Sequence, residues 1–84
     1  MKNETDLMPL GTLEPDETAT LAALSGGRTF TSRCLALGFT AGAEIKMERN
    51  SGRGPVVVVV RGVRLALGRD ESMRLTVRSR RDRE

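Results

Sequence analysis

Few side chains in this sequence can do chemistry. The one thiol, Cys34, follows Arg33 in "RTFTSRCLALG"; Asp70 and Glu71 stand side by side in "GRDES"; and "SGRG" at 51–54 is rich in glycine. A thiolate beside a cation can attack or ligate, adjacent carboxylates can hold a metal ion, and a glycine-rich loop can cradle phosphate. None of the three has the company its chemistry needs. The chain contains no histidine, which removes the commonest metal ligand and the commonest base near neutral pH. Cys34 has no second cysteine, and a buried cysteine serves as a small hydrophobe. "SGRG" lacks the lysine and following helix of a phosphate loop and reads as a hairpin turn, while Asp70 and Glu71 read as solvated acids in a turn. The sequence predicts no enzyme, no metal site and no cofactor. It predicts a binding module.

Size and charge narrow the module further. With 84 residues the chain is one small domain, burying only about 60–65% of its unfolded surface. A single cysteine excludes an internal disulfide and fits a reducing compartment. No segment has the apolar core of a signal peptide or the roughly 20 apolar residues that span a bilayer. The expectation is a cytoplasmic protein. Residues 1–17 carry one base against five acids, whereas the remainder carries thirteen bases against six acids. A basic body behind an acidic leader suits nucleic acid, anionic headgroups or an acidic protein face, or is simply a solvated surface.

The elements that position these residues follow from periodicity. Residues 1–9 read as a flexible lead. After "EPDE", a turn at Pro15, "TATLAAL" (18–24) reads as a first strand. "SGG" breaks the chain, and Phe30, Cys34 and Leu37 then recur at helical spacing, with Gly38 ending the helix. Ile45 and Met47 alternate with charged residues in a half-buried strand. Five valines at 56–60 are β-branched throughout, so the run is a strand and not a membrane-seeking segment. "RG" at Arg61 and Gly62 is a tight turn into Val63, Leu65 and Leu67; "GRDES" is another; and Met73, Leu75 and Val77 line a last strand. Residues 79–84 read as a charged flexible tail. The fold class predicted is all-β: a small barrel of about five strands with one short helix inserted after the first.

The order "SGG…RCLALGFTAGAEI…GPVVVVVRGVRLALGRDESMRLTV" resembles the FeoA family, small cytosolic proteins that accompany the bacterial ferrous-iron transporter FeoB. The likeness covers roughly residues 8–78, and the domain is predicted at 10–78. It rests together on Gly26 and Gly27 before the helix, on Leu37, Gly38, Phe39 and Gly42, on the Gly54–Pro55 hairpin, and on "RG-x-x-LALGRDES". The sequence departs at Cys34, where the family usually has leucine. The resemblance implies an SH3-like barrel, and a non-catalytic accessory that docks on the cytoplasmic part of FeoB and modulates its assembly or nucleotide cycle. It implies attachment to the inner membrane only through that partner, with no direct insertion. Gly26, Gly27, Gly38, Gly42 and Gly62 are expected to hold turns.

The expected contact residues are Val56, Val58 and Val60 (or the alternate row, Val57 and Val59), with Arg61 and Arg64 at the turn. The helix face with Thr31, Ser32 and Leu35 is a second surface, and self-association through an exposed strand or that face is open. Two other readings stand beside this one. The first is an SH3-like regulatory module related to the C-terminal domain of iron-dependent repressors, for whose winged helix the chain has no room. The second is a small basic barrel binding nucleic acid, favoured by twelve arginines but opposed by the lack of aromatic residues in the strands.

Overall fold

The computed structural model describes residues 7–79. Six strands form one antiparallel sheet: β1 (Leu7–Pro9), β2 (Thr18–Leu24), β3 (Glu44–Arg49), β4 (Val56–Val60), β5 (Val63–Leu67) and β6 (Leu75–Ser79). Their order is β1-β6-β2-β3-β4-β5, so β1 and β5 are the two edges. A 3-10 turn covers Leu10–Thr12, helix α1 covers Arg28–Ala36 between β2 and β3, and a one-turn helix α2 covers Arg69–Ser72. The all-β class and the inserted helix agree with expectation. One strand is additional. Part of the supposed lead, residues 7–9, pairs with β6 as β1, and Ser79 ends β6 in place of starting a tail. The remainder of the expected lead and tail, 1–6 and 80–84, lies outside the described residues.

Alternation along each strand places one row of side chains in a shared core. Ala19 and Leu21 of β2, Ile45 and Met47 of β3, Val56, Val58 and Val60 of β4, and Leu75 and Val77 of β6 are buried there with Leu10, Leu13 and Phe39. A register shift between Leu21 and Ala23 resets the parity of β2, which is why Leu24 also packs against the core. A second shift between Met47 and Arg49 sets Glu48 outside the regular pairing of β3 with β4.

Two expected positions move. Leu37 does not continue the buried face of α1; it is the C-terminal cap residue and is 43% exposed. Gly38, at φ 104°, turns the chain back so that Phe39 enters the core in its place. The helix simply ends one residue too early for the i, i+4, i+7 pattern to hold. Met73 likewise caps α2 and is exposed, so only Leu75 and Val77 of its row face inward.

A polar cluster closes one end of the molecule. Asn50 Nδ2 donates to the carbonyls of Gly11 (2.9 Å) and Leu13 (2.7 Å), and its Oδ1 accepts from Gly52 N–H (3.0 Å). Arg69 donates to Asn50 Oδ1 (2.9 Å), to the Gly11 carbonyl (3.0 Å) and to the Gly54 carbonyl (3.1 Å). These bonds tie the 3-10 turn, the β3–β4 loop and α2 together.

Two measurements test this packing. Phe39→Ala is expected to cost about 3–5 kcal/mol in urea unfolding, and Leu37→Ala no more than about 0.5 kcal/mol; equal losses would mean that Leu37 is buried after all. Arg69→Lys is expected to lose about 1–3 kcal/mol despite keeping its charge, because a single ammonium cannot serve three divergent acceptors as the guanidinium fork does.

Candidate interaction surface

The β4 valines divide by parity. Val56, Val58 and Val60 are fully buried, and that corrects their expected role as contacts: they face the core. Val57 and Val59 face outward and are half-buried. What covers them is visible in the next strands. Arg64 on β5 reaches Glu48 on β3 in a two-point ion pair, Nε–Oε1 2.9 Å and Nη2–Oε2 3.0 Å. Because β4 lies between these strands, the pair spans the outer face of β4. Arg64 is therefore engaged within its own sheet.

Arg61 stands apart from that pair. It and Gly62 have positive φ (53° and 79°) and make a two-residue turn between the paired Val60 and Val63. A Cβ on Gly38 would lie 2.9 Å from Arg61 Cδ, so the Arg61 stem rests on the glycine that ends α1. Its guanidinium has no ion-pair partner among the described residues. This contact joins the β4–β5 hairpin to the end of the helix. Close to it along the chain, three apolar side chains have much of their surface in water: Leu35 (50%) and Leu37 (43%) just before Gly38, and Val63 (52%) just after the turn. The Arg61–Gly38 contact thus links the hairpin tip to the end of the helix that carries Leu35, while Arg64 lies on the outer face of the sheet. Of the expected helix-face residues, Ser32 is exposed and Thr31 is half-buried, with its hydroxyl donating to the Gly27 carbonyl at 2.9 Å. The expected turn glycines 26, 27 and 42 also have positive φ.

Arg33, on the exposed side of α1, pairs with Glu71 Oε2 at 2.7 Å. Glu71 Oε1 also accepts the Gly68 N–H at 3.1 Å, at the start of α2. That backbone hydrogen bond, followed by the Arg33 guanidinium, holds the carboxyl below the usual glutamate range. "GRDES" is thus a helical turn whose acid is engaged, not an open turn with two solvated acids. Cys34 is buried, and desolvation pushes its thiol up against the opposing pull of Arg33. No group of three or more Cys, Asp or Glu residues able to hold a metal ion occurs among the described residues. Both phenylalanines, the chain's only aromatic residues, are buried, so no ring offers itself for base stacking. Among the described residues, no helix is long and apolar enough to cross a membrane.

These features define a class: a small SH3-like domain whose exposed apolar groups, not an assembled reactive cluster, are its distinctive surface. The chain belongs to the FeoA family, whose FeoA domain model matches residues 8–79. Solved structures agree. An iron uptake regulatory protein (FeoA) is 29% identical, with a TM-score of 0.81 over 87% of this chain and 97% of that one. FeoA of Stenotrophomonas maltophilia, solved with zinc and described as a prokaryotic SH3 domain protein, is 28% identical, with a TM-score of 0.74 over 83% and 88%. The IdeR protein of T. acidophilum shares the fold at 22% identity, TM-score 0.78, over 94% of this chain but only 37% of that one. No curated protein sequence matches the chain.

The Glu71 shift gives a pH signature. A carboxyl whose folded pKa lies below its unfolded value adds stability that is complete above the unfolded value, about 4.3, and is lost as pH falls through the folded one. Glu71→Ala is expected to cost about 0.5–2 kcal/mol near pH 7. Chemical denaturation at several pH values should show that difference shrinking below about pH 4.3; a constant difference would assign the loss to packing.

Proposed function

We propose that this protein is a non-catalytic accessory of ferrous-iron uptake that docks on the cytoplasmic part of a FeoB-type transporter and modulates its assembly or nucleotide cycle. The reading rests on membership of the FeoA family and on three exposed apolar side chains, Leu35, Leu37 and Val63, that flank the Gly38–Arg61 contact along the chain, with Arg61 lacking an ion-pair partner among the described residues. Such a surface suits a protein partner: apolar groups supply desolvation energy, and one cation supplies orientation. The matching surface on the partner carries a carboxylate facing Arg61 within an apolar depression. The proposed docking face therefore combines Leu35 and Arg61 from the sequence-based expectation with two residues that the structure adds, while Arg64 and the inner β4 valines are outside it. The domain works where its partner is, in the cytoplasm and at the inner membrane through that partner alone.

The test is binding of the purified protein to the purified cytoplasmic region of FeoB from the same cell, by biolayer interferometry. Leu35→Asp and Arg61→Glu each alter only exposed side chains and should weaken binding about tenfold or more with unchanged thermal unfolding. Wild-type protein that fails to bind would sink the transporter reading. Binding that neither substitution weakens would move the contact away from this patch.

A further inference from the structure

Strand β5 is an edge of unusual openness. Natural edges are blunted by brevity, proline, bulges or charge. The other edge, β1, is three residues long and ends on Pro9. β5 has five residues, no proline, and an unbroken register with β4 from Val63 to Leu67. Its one charge, Arg64, is drawn back across the sheet to Glu48. No backbone hydrogen bond reaches the far side of β5 among the described residues.

The hairpin sets which groups are free. In a two-residue hairpin the residues flanking the turn exchange both hydrogen bonds, here Val60 with Val63. Alternation then points the amides of Val63, Leu65 and Leu67 toward β4, and those of Arg64 and Ala66 outward. The free edge therefore offers two N–H groups and two carbonyls. Side chains alternate as well. Val63, Leu65 and Leu67 share the core face of the sheet with their β4 partners, and along that row cover fails toward the turn: Leu67 is buried, Leu65 is half-buried, and Val63 is 52% exposed.

The geometry points to a second copy of this chain as the occupant, paired antiparallel through β5 about a two-fold axis at Leu65. Only registers of even parity keep the apolar row of both copies on one face and match outward amide to outward amide. The register centred on Arg64 sets two guanidinium groups opposite each other, which is destabilising. The register centred on Ala66 overlaps only three residues of each strand. The register centred on Leu65 overlaps all five. It sets Arg64 opposite Ala66 of the other copy twice over, satisfying all four outward groups, and it brings the two Leu65 side chains together at the closer, non-hydrogen-bonded spacing. Val63 of each copy then lies beside Leu67 of the other and gains the cover that its own chain does not give it. This pairing does not rest on docking on FeoB; it covers Val63, which the proposed docking face also uses, and leaves Leu35, Leu37 and Arg61 outside the paired strands.

The test uses the full chain in sedimentation velocity over a wide concentration range. Wild type is expected to pass from monomer to dimer as concentration rises. Ala66 is exposed, so three substitutions there can be read without disturbing the core. Ala66→Pro removes an outward N–H and should abolish the dimer while circular dichroism and thermal unfolding stay as in wild type. Ala66→Glu places a carboxylate opposite each Arg64 and should tighten the dimer by about two- to thirtyfold at low salt, and Ala66→Arg should weaken it by a similar factor. Wild type that stays monomeric throughout would overturn the proposal. So would a dimer indifferent to Ala66→Pro, or one that Ala66→Glu and Ala66→Arg affect alike. A monomer whose β5 amides become protected only when an extended segment of another protein is added would replace the second copy with that protein.

Discussion

One constraint governs the rest of the structure: three chain segments without regular pairing to one another must be held at the open end of a small sheet. Asn50 and Arg69 meet it. Between them they satisfy the carbonyls of Gly11, Leu13 and Gly54 and the N–H of Gly52, and they bond to each other. The Gly11 and Leu13 carbonyls lie in a buried, irregular stretch with no ladder to join, and leaving one without a donor would cost about 1–3 kcal/mol. Leu10 and Leu13, both fully buried, can plug the core only because the turn between them is fixed from outside.

The polar cluster also explains what was legible in the sequence and what was not. Strands carried by strict alternation were visible, and so was the tight turn at Arg61 and Gly62, because side-chain parity and turn chemistry are local properties. β1 was not: three residues ending in proline carry too little pattern to show, and only pairing with β6 makes them a strand. The cluster was also hidden, since Asn50 and Arg69 are 19 positions apart and Arg69 reads only as part of the "GRDES" turn. At the candidate surface, Arg61 and Leu35 could be singled out, but the inner β4 valines could not be told from the outer ones. Alternation says that one row faces in; which row does so depends on the register with β3 and β5. The burial of Glu71's role was of the same kind, because its partner Arg33 lies on a distant helix.

The two faces of the β4–β5 hairpin have different work. On the outer face, Arg64 and Glu48 lie across the half-buried Val57 and Val59 and turn a β-branched row into a covered surface. At the tip, Arg61 has no ion-pair partner among the described residues and rests its stem on Gly38. Two arginines three residues apart thus differ in kind: one completes the sheet, the other is presented. Their difference arises from the turn, which reverses the chain between them.

Helix α1 buries only Phe30 and Cys34 of its nine residues. Its other ties are peripheral: Arg74 above the Phe30 ring at 5.4 Å, the exposed Arg33–Glu71 pair, and Arg61 resting on Gly38. The sheet, by contrast, is crosslinked on every interior strand. The helix thus buries a smaller share of its residues than any interior strand does, the condition under which a segment opens locally below the free energy of global unfolding. Its thiol is shut away only while the helix is docked, so Cys34 is a built-in clock: the rate at which it meets a thiol reagent counts the excursions of α1 away from the sheet.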